Sequence, residues 1–201
     1  MSSSTITTAT VRKAGAADTP RVGDTLAAAF YEDPVMSWCY PDRGRRAEIL
    51  PAVFRATLEA THHGGGIDTV TDEVAAAIWV PPGTQIDDEK LADEMAHASA
   101  EYTERMFVLM QLLDAHHPHD LEHHYLLALG TRPEHQSRGL GSMLLRAVLA
   151  GCDQDGVPAY LEATSESSRR LYERHDFAVK ETVTLPDGPP LWCMWRPPRQ
   201  P

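Results

Sequence analysis

The chain has 201 residues, with 18 Lys and Arg against 29 Asp and Glu, giving a formal net charge of −11. That length suits a single domain with a substantial buried core, and the negative field disfavours nucleic acid and acidic membranes as partners while favouring the approach of a cationic amine. No apolar run reaches the roughly 20 residues of a spanning helix, the Met1–Thr5 start lacks the basic and apolar parts of a secretion signal, and Cys39, Cys152 and Cys193 are too scattered for a disulfide framework or a zinc site. The expectation is a cytoplasmic, metal-free monomer or homodimer.

Thr8 to Lys13 alternates as a first strand, and Asp18 opens a helix with Pro20 in its first turn and Val22, Leu26, Ala29 and Phe30 on one face. Glu32-Asp33-Pro34 ends it, because proline disfavours α geometry in the residue before it. Val35 to Tyr40 reads as an aromatic connecting loop. Arg45 to His62 has the spacing of a second helix, with Pro51 marking its start and Gly64-Gly65-Gly66 its end. Ile67 to Thr71 and Val74 to Val80 are strands joined at Asp72-Glu73, and Pro81-Pro82-Gly83 stops the pairing.

Asp87 to Asp114 reads as one amphipathic helix, with Leu91, Met95, Met106, Leu109, Met110 and Leu113 on its apolar side. Residues 84–120 form a helical insertion in the domain, and the methionine stripe is either core or a roof over a ligand. His116, His117, His119, His123 and His124 lie close to Asp114, Asp120 and Glu122. A metal site is set aside, since neighbouring strand residues such as His123 and His124 point to opposite faces and Pro118 marks a turn.

Tyr125 to Leu129 is a buried strand, Arg132-Pro133-Glu134 a turn, and Ser142 to Cys152 an amphipathic helix with Leu144, Leu145, Val148 and Leu149 on one face. The loop between them is Gln136-Ser137-Arg138-Gly139-Leu140-Gly141. A helix start offers unpaired N–H groups and the positive end of the dipole, the two glycines remove β-carbons, and Arg138 adds a cation. These parts suit a pyrophosphate cradle; a plain tight turn is the alternative. Ala159 to Ala163 is the next strand, a helix follows within Ser167 to Phe177, and Val179 to Thr184 and Leu191 to Arg196 are the last two strands.

Gln136-x-x-Gly139-x-Gly141 after a strand resembles the coenzyme A signature of the GNAT superfamily of N-acetyltransferases, and Leu171-Tyr172-Glu173 through Asp176-Phe177 resembles that superfamily's Leu-Tyr-Glu-x-x-Gly-Phe helix. Asp176 stands where the family's glycine usually takes a positive φ. Thr25 to Phe30, Tyr40 to Arg43, Pro133 to Gln136, Val157 to Ala159, Leu161-Glu162 and Leu185 to Met194 are most similar to the puromycin N-acetyltransferase-like branch.

The resemblance implies a single α/β (α+β) domain over residues 1–201, with helices on both faces of a mostly antiparallel sheet of six to seven strands, splayed between strands 4 and 5. It implies acetyl-CoA as cosubstrate, no metal, and direct acetyl transfer to a primary amine of a small molecule, an aminonucleoside antibiotic such as puromycin being one option and antibiotic resistance the corresponding role. Peptide or protein amines, or coenzyme binding without turnover, are the other readings. Carried over by position, the resemblance sets Leu129, Gly130 and Thr131 against pantetheine and Gln136, Ser137, Arg138, Gly139, Leu140, Gly141 and Ser142 around the pyrophosphate. Ser168 and Arg169 reach the coenzyme. Tyr172 is the general acid and Glu162 the base, with Glu32 in reserve, although Glu162 could instead bond to neighbouring backbone. Glu32, Trp38, Tyr40 and Tyr125 border the amine; position 125 is where some relatives keep a carboxylate. Ser165 stands near a coenzyme-contacting Asn of many relatives.

Overall fold

The computed structural model describes residues 9–62 and 66–199. Thr8, Gly64 and Gly65, and the Met1–Thr5 start, lie outside the described residues. The strands are β1 (Val11–Lys13), β2 (Ile67–Val70), β3 (Ala75–Val80), β4 (His124–Thr131), β5 (Ala159–Ala163), β6 (Ala178–Thr184) and β7 (Pro190–Arg196). The helices are α1 (Thr19–Phe30), α2 (Pro34–Cys39), α3 (Arg43–Thr61), α4 (Asp88–Ser99), α5 (Thr103–His116), α6 (Leu140–Asp155) and α7 (Glu166–Glu173). The strands form one seven-stranded sheet in the order β1-β2-β3-β4-β5-β7-β6. Every adjacent pair is antiparallel except β4–β5, which is parallel.

The near-continuous apolar run of β3 is explained by burial on both faces. Ala76 and Ile78 pack with Leu26 of α1, Leu50 and Phe54 of α3, and Met106 and Leu109 of α5. Ala75, Ala77 and Trp79 pack on the opposite face with Leu144, Leu145 and Leu149 of α6 and Tyr172 of α7. The amphipathic stripes of α1 and α6 thus cover opposite sides of the same strands.

Four elements differ from the sequence expectation. Val35 to Tyr40 is mostly helix rather than loop: the Asp33 carboxylate accepts from the N–H groups of Val35 and Met36, and Pro34 takes the first helical position, where its missing donor is no loss. Pro51 lies inside α3, because the Asp42 side chain caps the helix earlier by accepting from Arg45 N–H. The expected helix over Asp87 to Asp114 is two helices, interrupted at Ala100, whose φ is 49°. There Thr103 Oγ1 donates to the carbonyls of Ala96 and Ala100. Finally, α6 begins at Leu140 and runs to Asp155, bounded by left-handed Gly139 and Gly156. Asp176 has φ 66°, the positive angle that the resemblance required of it.

The C-terminal end is fixed by a buried cation. Arg196, 2% exposed, donates through Nη2 to Asp153 of α6 at 2.8 Å and through Nε to the His175 carbonyl at 3.1 Å. Removing one partner of such a pair strands the other charge in the interior. Asp153→Ala is therefore expected to destabilise the fold by about 3 kcal/mol. The measurement is urea unfolding, read as a lower midpoint at unchanged slope.

Candidate active site

The site is built where β4 and β5 part. They pair from His124–Ala159 to Leu126–Leu161 and no further, so the remaining length of β4 has lost its β5 neighbour. Against β3, β4 carries one residue too many: Ile78 faces Ala128 while Trp79 faces Leu126, leaving Leu127 unmatched. Such a bulge bends the strand and turns its side chains. Leu126 accordingly sits in the core under α6, whereas Ala128, two residues on, sits in the core under α1 and α3.

The gap is a cleft of about 480 Å³, lined by Leu129, Gly130 and Thr131 of β4, by Gln136, Ser137, Gly139, Leu140, Gly141 and Ser142, and by Ser168, Leu171 and Tyr172 of α7. Ser137 and Gly139 both have positive φ, at 61° and 80°. They curl the loop so that the first-turn amides of α6, which have no partner inside the helix, open on this cleft. A β-carbon on Gly141 would lie 3.3 Å from Leu171, so the glycine lets the helix start approach α7. Gly130 is constrained for packing instead, since a β-carbon there would lie 2.8 Å from Ala29 Cβ.

Two expected coenzyme contacts lie elsewhere. Arg138 is not in the cleft wall; its guanidinium donates to the Glu134 carbonyl. Arg169 stacks over Trp192, 5.1 Å from the ring centre, and pairs with Glu166 and Glu173. The basic side chains that do line the cleft are Arg174 and His135, neither of which the motif reading singled out. Asp33, Ser165 and Thr164 also line it, and Thr164 Oγ1 donates to the Asp33 carboxylate at 2.5 Å.

Tyr172 is 6% exposed, and its hydroxyl is held well above the ordinary phenol range, first by burial and then by the Asp33 charge. It is a protonated donor at neutral pH.

Beside the cleft lies an apolar chamber of about 200 Å³ between α2, α3, α4, α5 and β4. It shares Phe30 and Thr164 with the cleft wall. Glu162 lines it, with Oε2 accepting from the Tyr125 hydroxyl at 2.8 Å and Oε1 buried without a hydrogen-bond partner. Burial pushes the Glu162 carboxyl up to about 7, against the bond from Tyr125, which lowers it. Glu162 thus bonds to a side chain, and the tyrosine at position 125 is its partner.

The other expected amine contacts are placed apart. Glu32 is exposed and paired with Arg43. Trp38 donates from Nε1 to the Pro186 carbonyl at 3.0 Å, and Tyr40 is fully buried with its hydroxyl on Ser99 at 2.8 Å. None of the three lines the cleft or the chamber. The histidine-rich stretch is partly buried: the His117 ring packs against His123, Tyr125 and Tyr160, and burial lowers it to about 4. Among the described residues, no group of three or more His, Cys, Asp or Glu is arranged to hold a metal ion.

A seven-stranded sheet parted at its one parallel pair, with a glycine turn feeding a helix at the parting, is the architecture that the resemblance to the GNAT superfamily implies. Residues 69–177 match the acetyltransferase (GNAT) family, and the chain belongs to it. Its fold is similar to a Corynebacterium glutamicum structure described as histone acetyltransferase HPA2 and related acetyltransferase. That match has 30% identity and a TM-score of 0.70, covering 96% of this chain and 98% of the other. An uncharacterized N-acetyltransferase of Schizosaccharomyces pombe is 25% identical over 188 residues, 87% of this chain and 76% of the relative. The polyamine N-acetyltransferase of Drosophila melanogaster shares the fold at 18% identity and a TM-score of 0.65, over 94% of this chain and all of that one (100%). Among the described residues, no helix is long and apolar enough to cross a membrane.

Proposed function

We propose that this chain moves the acetyl group of acetyl-CoA directly onto the primary amine of a small molecule. The observation that carries the reading is the shared wall: Phe30 and Thr164 belong to both the cleft and the chamber, with Tyr172 on the cleft side and Glu162 on the chamber side. An acid and a base with separated environments stand on either side of one junction.

The cleft fits the cosubstrate on a property of the chain itself: Gly139 holds a left-handed angle that side chains rarely adopt, with open space in front of it, beside the unpaired amides of α6. Those amides would hold the diphosphate, and the unpaired edge of β4 at Leu129 and Thr131 would bond the pantetheine main chain. Acetyl-CoA supplies an activated acyl group on sulfur. Glu162, titrating near neutrality, takes the proton of the incoming ammonium, and the Tyr172 hydroxyl gives its proton to the departing sulfur. Leu129 or a neighbour on the free edge of β4 offers an N–H to the acyl oxygen.

A small acceptor is favoured over a protein terminus because the carboxyl sits inside an apolar chamber rather than on a surface groove. Puromycin is the first acceptor to try, on the strength of the sequence stretches similar to its acetyltransferases. Release of free thiol from acetyl-CoA across an amine panel tests the activity, and coenzyme bound without thiol release from any amine would overturn it. Gly139→Val tests the cradle. A β-branched residue is strained at φ 80°, and we expect acetyl-CoA affinity by calorimetry to fall at least about tenfold while the fold persists.

A further inference from the structure

Resting on the transfer reading above, we propose that the acceptor is a monoamine with an apolar aromatic or alkyl body, and that polyamines and other dications are discriminated against. The chamber wall is made largely of methionine, leucine and phenylalanine, among them Met95, Met106, Leu109, Met110, Phe30 and Phe54. Glu162 is the one ionisable acid in that wall, and one of its oxygens is already held by Tyr125. The chamber can therefore neutralise a single ammonium group, and whatever follows that group into it meets hydrocarbon and thioether. An apolar body gains by leaving water there. The second cation of a diamine would be stripped of water with no acid to face. Methionines on α4 and α5 can reshape around bodies of different outline, which predicts tolerance of ring or chain within the apolar class.

A wider groove of about 590 Å³ adjoins the chamber through Tyr125, Leu127, Met110, Leu113 and Leu91, and its rim carries Asp114, Asp120 and Glu122. These acids are placed to attract an ammonium ion from solution, but they lie outside the chamber where the body must rest.

The test compares 2-phenylethylamine with agmatine, whose far end is a guanidinium. Each is titrated into the full chain by calorimetry and then assayed for thiol release from acetyl-CoA. We expect phenylethylamine to bind, and to exceed agmatine in kcat/KM, by at least about tenfold, the scale set by desolvating an unpaired charge. Met110→Glu, at a half-buried position shared by chamber and groove, should narrow that ratio by supplying the second acid. Agmatine turned over as well as or better than phenylethylamine overturns the proposal and leaves acetyl transfer standing. The same holds if Met110→Glu folds and leaves the ratio unchanged. Preferential phenylethylamine binding without thiol release supports the chamber chemistry and removes the transfer reading instead.

Discussion

Tyr172→Phe is expected to lower kcat by about 100-fold, the scale of a lost general acid, with acetyl-CoA affinity nearly unchanged. The substitution removes one oxygen from a buried ring whose packing against Phe177 it preserves, so stability should hold. Single-turnover thiol release separates this from a binding defect. A more acidic thiol on the acyl donor, which departs without needing a proton, should recover part of the lost rate. Full activity in the Phe variant would remove Tyr172 from the chemistry.

Glu162→Gln is the second large effect and has two opposite readouts. In the native chain the rate should rise with pH through about 7 as the carboxyl loses its proton, and in the Gln variant that limb should vanish with a loss of about 100-fold above it. Stability should move the other way. The folded chain binds this proton more tightly than the unfolded chain does, between the ordinary glutamate value of 4.5 and about 7. Its stabilising contribution is therefore complete below about 4.5 and is lost as pH rises through 7. Above that range Glu162→Gln should be more stable than the native chain, on the order of 3 kcal/mol, since the amide needs no charge desolvated and can still accept from Tyr125. Denaturant midpoints at pH 5 and pH 8 check the sign. A variant that is slower at high pH and no more stable there would place the carboxyl's penalty elsewhere.

Much of the sheet was legible because its strands are short apolar runs between turn residues, and the Gln136 to Gly141 loop because two glycines open a helix. What the sequence hid was mostly a matter of partners distant along the chain. Tyr125 and Glu162 meet only because β4 and β5 run parallel over their first residues, and nothing local announces that bond. Arg138 and Arg169 sit in the expected motifs, but a cation in a motif faces whatever its helix or turn aims it at, here Glu134 and Trp192. Asp33 read as a helix stop and proved also to be the start of the next one, since one carboxylate can cap the helix that follows the break. The amine contacts assigned to Glu32, Trp38 and Tyr40 rested on their lying in the right connection; folding that connection into α2 turned Trp38 toward Pro186 and Tyr40 into the core.

The unmatched Leu127 has one more implication. With strict alternation, Leu126 and Ala128 would look the same way; they look opposite ways, so Tyr125, Leu127 and Ala128 all address the chamber and Leu129 is left for the cleft. A single supernumerary residue thus sets two consecutive side chains, Leu127 and Ala128, toward the same compartment. Its deletion would restore strict alternation with Leu126 and Ala128 still on opposite faces, so the cleft would keep its residues while the chamber lost one leucine.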